Sequence, residues 1–291
     1  MTPVPTDDAL PVESVAELQR LLSEQSYLAD TALTTSLFLA LGLGRPVLLE
    51  GEPGVGKTEV ARAVAQALGR RLIRLQCFEG IDAHQALYEW NYPRQLLAVR
   101  GAASDEDVFT REYLMARPLL EAVEAGDGCV LLIDEIDRAD DEFEAFLLEL
   151  LSDFAVTVPE IGTVAGTSRP LVILTSNRTR ELHDALKRRC LYHWLAYPEV
   201  DRQVDILRAR APQVTPQLAR EVALAVQRLR GLDLVKPPGA AEAIDWANAL
   251  RLLGADTLTH GAAAATLGTV VKDVEDHEVA ATQLGHVAGQ A

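Results

Sequence analysis

The sequence predicts an α/β domain built on a mostly parallel sheet with helices on both faces, followed by a smaller all-helical domain. Three observations carry this expectation. Short apolar runs alternate with helical periodicity up to about residue 198. Beyond that point only helical periodicity remains. A glycine-rich segment joins the first apolar run to the helix that follows it.

Residues 1–14 contain three prolines and read as a flexible tail. A helical pattern from Val15 to Leu41 places Leu18, Leu21, Leu22, Leu28, Leu33, Leu37 and Leu41 at apolar positions, and its polar breaks divide it into two helices. Five runs have the composition of strands buried on both faces: Pro46–Leu49, Leu72–Cys77, Cys129–Ile133, Leu171–Thr175 and Leu191–Leu195. Helical patterns fall between most of them, at Thr58–Leu68, Leu114–Glu124, Glu142–Leu151 and Arg180–Lys187. Within Phe154–Pro170, Val156 and Val158 alternate with small or polar residues, Pro159–Gly162 supplies a turn and Thr163–Ala165 returns, which predicts an inserted β-hairpin. Helices are then expected at Val200–Arg210, Thr215–Arg230, Ala240–Leu253 and Leu258–Gln283. The expected domains are therefore residues 15–198 and 199–291.

A chain of 291 residues with 48% apolar content can build a sizeable core, and with 5% aromatics that core rests on aliphatic side chains. Lys+Arg of 27 against Asp+Glu of 43 gives a net charge of −16, which opposes binding to nucleic acid and to anionic lipid and favours a protein partner. Cys77, Cys129 and Cys190 lie far apart, without metal-ligand spacing, and read as buried thiols of a reducing compartment. No secretory signal and no run of membrane-spanning length is visible, so a cytoplasmic location is expected.

Gly51-Glu52-Pro53-Gly54-Val55-Gly56-Lys57-Thr58, followed by Glu59, matches the pattern GxxxxGK[ST]. Glycines let such a loop curl until successive backbone N–H groups face phosphate oxygens. Lys57 would place a charge on the β- and γ-phosphates of ATP, and the Thr58 hydroxyl would ligate Mg2+. The helix that follows offers its positive end to the anion.

Val130-Leu131-Leu132-Ile133 runs into Asp134 and Glu135. At the C-terminal edge of a parallel sheet, Asp134 would hold Mg2+ through its water shell and Glu135 would orient and deprotonate the attacking water. Leu171–Thr175 likewise ends in Ser176 and Asn177. Asn177 would bond the lytic water or the γ-phosphate, or else close the strand in an Asx-turn. Arg188 and Arg189 end a helical segment, where either could reach the γ-phosphate of a neighbouring subunit or simply complement the helix dipole.

The order of these features resembles the AAA+ ATPases. GEPGVGKTEVARAVA, LLIDEIDRAD and VILTSN are similar to the MoxR family. RLIRLQCFEGID, YEWNYPRQLL, VPEIGTVAG and AIDWANAL resemble its CoxD-like members, found with carbon monoxide dehydrogenase and related molybdenum hydroxylases. The resemblance implies a P-loop core with strand order 5-1-4-3-2, a C-terminal helical lid, and ATP bound between the subunits of a ring, usually a hexamer. It implies that the hairpin and the segment near Phe78–Trp90 face the pore or the substrate. It further implies a von Willebrand factor A domain partner and a molybdenum hydroxylase client whose metal centre is matured. The resemblance also implies an arginine at the head of a lid helix, as in many members; here that stretch reads Lys236-Pro237-Pro238-Gly239-Ala240-Ala241, where Lys236 either substitutes, without the geometry of an arginine, or leaves the position unfilled.

Overall fold

The five apolar runs pair into one sheet; the three inner strands, at Val47–Gly51, Cys129–Asp134 and Leu171–Ser176, are buried throughout, whereas Arg71–Gln76 and Leu191–Leu195 lie at its edges and are partly exposed, which corrects the expectation that all five are buried on both faces. The computed structural model describes residues 10–101 and 108–289, so residues 1–9 of the expected tail lie outside the described residues. The chain divides into two compact units. One comprises the described residues of Met1–Leu21 with Asp30–Glu50 and Val60–Trp194, and the other comprises Leu22–Ala29, Gly51–Glu59 and the described part of Leu195–Ala291.

Elements run α1 (Val15–Glu24), α2 (Thr31–Leu43), β1 (Val47–Gly51), α3 (Lys57–Ala67), β2 (Arg71–Gln76), α4 (Ala83–Leu87), β3 (Tyr88–Trp90), α5 (Tyr92–Gly101), β4 (Leu114–Ala116) and α6 (Pro118–Ala125). They continue through β5 (Cys129–Asp134), α7 (Asp141–Asp153), β6 (Ala155–Val158), β7 (Gly162–Ala165), β8 (Leu171–Ser176), α8 (Asp184–Arg189) and β9 (Leu191–Leu195). The sheet order is β2-β5-β8-β1-β9, which is the expected 5-1-4-3-2 order read from the other edge. The pairings β2·β5, β5·β8 and β8·β1 are parallel, so these four strands end on the same side of the sheet. Their register sets Gln76 beside Asp134, Ile133 beside Leu174, and Glu50 beside Ser176. The core of this unit includes Leu131, Ile133, Val172 and Leu174 from the sheet and Leu119, Leu120, Phe143 and Leu147 from the helices.

The hairpin forms as expected: β6 and β7 pair antiparallel, with Val156 opposite Val164. Two helical expectations need correction. Leu114–Ala116 is a strand paired antiparallel with β3, and the helix begins only at Pro118, which a first-turn position accommodates because its missing N–H would have no partner there. The helix expected from Arg180 begins at Asp184 instead. Glu144 accepts the His183 N–H at 2.9 Å, and the Arg180 side chain is drawn to the Ala139 carbonyl, so the segment before α8 is held in another conformation.

The second unit carries α9 (Val200–Arg210), α10 (Pro216–Arg230), α11 (Ala240–Leu252), α12 (His260–Val270), α13 (Val274–Thr282) and α14 (Leu284–Val287). Thr215 caps α10 by accepting the Leu218 N–H, with Pro216 in the first turn. Trp246 is fully buried among these helices and donates its indole N–H to Thr266 at 2.7 Å. The single helix expected over Leu258–Gln283 is broken: Val271 is extended, and Asp273 starts a new helix by accepting the Glu275 N–H. Among the described residues, no helix is long and apolar enough to cross a membrane.

All three cysteines are buried, and burial pushes Cys77 and Cys190 up to about 12 and Cys129 up to about 11. The nucleophilic thiolate is therefore suppressed through the neutral range and emerges only as the pH approaches those values. Iodoacetamide at pH 8 should leave the native protein unmodified and alkylate every cysteine in urea; fast labelling of the native chain would show the sheet packing to be wrong.

Candidate active site

β1 hands the chain to the glycine-rich loop, and the loop opens α3 at Lys57. Gly54 has φ of +75° and Gly56 has φ of +96°, a region that L side chains rarely enter, so the pattern's glycines are dictated by backbone geometry. A Cβ on Gly56 would meet nothing within 4 Å, so it is torsion rather than crowding that requires glycine there. Glu52, Pro53 and Gly54 are exposed, Val55 and Gly56 are half-buried, and Lys57 is only 7% exposed. The Lys57 ammonium donates to the carbonyls of Gly51 at 2.7 Å and Glu52 at 2.8 Å. Those bonds fold the loop back over its own lysine. Thr58 and Glu59 follow in the first turn of α3, and Glu59 pairs with Arg210 at 2.7 Å.

In the sheet unit, Asp134 is 2% exposed and heavily engaged. It accepts the Thr175 hydroxyl at 2.5 Å on one carboxylate oxygen and the Arg74 guanidinium at 3.0 and 2.6 Å on the other. The same Thr175 hydroxyl oxygen accepts the Glu135 N–H at 2.9 Å, tying the two adjacent strands together at the acids. Glu135 has φ of +55° and ψ of +50°, an unusual conformation for a side chain with a Cβ. Its carboxylate is 32% exposed and meets Arg138 at 3.1 Å.

Asn177 leaves the end of β8 and is half-buried. Among the described residues, its hydrogen bond is made by the main-chain N–H, to Asp137 Oδ2 at 3.2 Å. Asp137 is a residue that sequence reasoning missed. It is 2% exposed, and the same oxygen accepts the Thr179 N–H at 2.8 Å and the Thr179 hydroxyl at 2.7 Å. Arg45 is a second such residue. Its guanidinium donates to the carbonyls of Arg188 at 2.7 Å and Arg189 at 3.0 Å, closing the C-terminal end of α8. The Arg188 and Arg189 side chains are exposed.

A parallel sheet with this strand order, a glycine loop that enters a helix after β1, and acids at the end of β5 together define a P-loop nucleoside triphosphatase fold. The family follows from comparison. Residues 46–190 match the family described as AAA domain (dynein-related subfamily). The ClpA homolog protein of Fuscovulum blasticum is 30% identical over 184 residues, covering 60% of this chain and 21% of its own length. The uncharacterized protein YehL of Escherichia coli K12 is 30% identical over 162 residues, covering 53% of this chain and 42% of its own length. The chaperone protein ClpB of Mycoplasma pneumoniae is 26% identical over 170 residues, covering 55% of this chain and 22% of its own length. The chain thus spans less than half the length of these curated relatives. Two point mutants of Thermotoga maritima RuvB superpose with TM-scores of 0.50, at 18% and 19% identity, covering 89% of this chain and 70% and 71% of theirs. At that identity the likeness is one of fold. Over residues 46–190 the chain is similar to the AAA domains of that family.

Removing the Asp137 carboxylate strands three donors from residues 177 and 179. Asp137→Ala should cost about 1–3 kcal/mol of stability in urea titration. An unchanged midpoint would show those groups to be satisfied without it.

Proposed function

We propose that the chain binds ATP with Mg2+, hydrolyses it, and uses the cycle to remodel a protein client. One observation carries the reading: a lysine buried at the first turn of a helix, inside a loop whose glycines hold positive φ. A cation there sits at the positive end of the helix dipole, an arrangement that a bound polyphosphate makes favourable.

The residues fit these ligands. Loop amides from Gly51 to Thr58 would hold the phosphates, and Lys57 would neutralise them. The Thr58 hydroxyl would ligate magnesium and Asp134 would hold it through its water shell, both being the oxygen donors that this hard cation takes. Bound magnesium would supply charge neutralisation between phosphate oxygens. Glu135 would hold the attacking water and accept its proton, with Arg138 and the Thr175 bond fixing its direction. Asn177, steadied by Asp137, would steer that water. Arg189 or Arg188, secured from behind by Arg45, would reach a neighbouring protomer's nucleotide in a hexameric ring. Residues 15–198 would form the nucleotide-binding α/β domain and residues 199–291 the helical lid domain.

A chaperone-like role is supported by the names of the ClpA and ClpB relatives and by the net charge of −16, which disfavours a nucleic-acid track. The MoxR-like and CoxD-like segments support a narrower reading: a cytoplasmic maturation factor that works with a von Willebrand factor A domain protein on a molybdenum hydroxylase. The competing readings are a motor that remodels a different protein or nucleic-acid complex and a nucleotide switch with little turnover; phosphate release separates the switch from the motors.

Lys57→Ala should abolish binding of a fluorescent ATP analogue, and retained affinity would remove Lys57 from the site. Glu135→Gln should bind that analogue normally yet release phosphate at least about a hundredfold more slowly; normal release would leave Glu135 without a catalytic role. Arg189→Ala should lower turnover with little change in affinity, and the same effect from Arg188→Ala alone would reassign the finger. The Glu135→Gln variant held in ATP should also retain the client in a pull-down.

A further inference from the structure

The lid helix α11 lacks an arginine at its head, and Lys236 does not stand in for one. Its ammonium pairs with Asp273 at 3.2 Å, while its N–H donates to Asp276 at 2.8 Å. The main chain makes the contact instead. Ala240 N–H donates to the Gly54 carbonyl of the phosphate loop at 2.9 Å. A Cβ on Gly239 would stand 2.6 Å from Gly54 Cα, and a Cβ on Gly54 would stand 3.0 Å from both Gly239 Cα and Glu242 Oε2. The approach is therefore one that only two glycines allow. Glu242 closes the turn by accepting the Gly239 N–H at 3.0 Å.

Behind this contact, Tyr197 and Arg230 form a brace. The Arg230 guanidinium lies 4.3 Å over the Tyr197 ring, a cation–π distance, and donates to the Pro238 carbonyl at 2.8 Å, the Pro198 carbonyl at 3.3 Å and Gln203 Oε1 at 3.2 Å. The Tyr197 hydroxyl reaches the carbonyls of Pro53 at 3.4 Å and Pro237 at 3.5 Å. One aromatic ring thus spans the loop and the segment that leads into α11.

We propose that the lid senses the phosphate loop through this main-chain interlock, with Gly239 and Ala240 as positioning residues for nucleotide binding. The inference rests on the nucleotide reading of the loop. Gly54 C=O and Val55 N–H belong to one trans peptide group and so face opposite ways. When Val55 N–H donates to a phosphate, the shared peptide is polarised and Gly54 C=O becomes the better acceptor. The bond to Ala240 then strengthens, and α11 is held to the loaded loop. The coupling passes through a single peptide plane.

Hydrogen exchange on the full chain, with and without a non-hydrolysable ATP analogue and Mg2+, tests it. Exchange at Ala240 should slow about tenfold or more on saturation, as expected for a strengthened local bond. In calorimetry, Gly239→Ala should weaken binding of the analogue by at least about tenfold, because its Cβ forces loop and lid apart. Gly261→Ala, where a Cβ would meet open space, should bind like the wild type. Thermal melts establish that each variant is folded; if Gly239→Ala does not fold, the exchange measurement on the wild type decides. Wild-type binding with unchanged exchange at Ala240, or a folded Gly239→Ala variant that binds as tightly as the wild type, overturns the interlock while the nucleotide reading stands. A wild-type chain that binds no analogue overturns both.

Discussion

An ammonium group buried at the positive end of a helix is the constraint on which the site depends. Desolvation and the α3 dipole both disfavour a cation at Lys57. The carbonyls of Gly51 and Glu52 offset this by curling back to accept its protons. Along that curl Gly54 and Gly56 hold positive φ. A charge so placed is poorly suited to stability alone, and it is well suited to an anion delivered into the loop. The lysine, the glycines and the helix start are therefore one device, and none of the three makes physical sense without the others.

The C-terminal edge of the sheet is organised by a second set of polar contacts, made where β5 and β8 lie side by side. Thr175 connects the two acids, since its hydroxyl serves Asp134 as donor and the Glu135 N–H as acceptor. Asp137 then reaches the segment after β8 and sets the path of residues 177–179. These bonds join the turn after one strand to the segment after another about forty residues away in sequence, and so fix the two relative to each other. The left-handed backbone at Glu135 belongs to the same arrangement, because it turns the chain out of β5 directly into the 3-10 turn that carries Asp137.

Much of this was legible in the sequence, for reasons that differ by element. Strands buried on both faces read as unbroken apolar runs, so Cys129–Asp134 and Leu171–Ser176 announce themselves. The loop is legible because its residue types follow from torsion and charge. Short features escaped. β3 and β4 have three residues each, too few for a period to show, and Leu114–Ala116 was absorbed into the helical pattern that begins at Pro118. The break between α12 and α13 was hidden because apolar spacing continues through Val270 and Val271. Asp137 and Arg45 were illegible for another reason: their partners lie about 40 and 140 residues away, and no local pattern marks a side chain whose task is to hold a distant carbonyl or amide.

Whether this loop receives a triphosphate decides what the buried lysine is for. Isothermal titration of Mg-ATP into the folded wild-type chain at millimolar Mg2+ is the most direct measurement. Saturable heat with a stoichiometry near one per chain, lost when the same titration is run with adenosine, is the predicted result. A folded chain that gives no heat with Mg-ATP, or equal heat with adenosine, would contradict the reading of the buried lysine as an anion-binding charge.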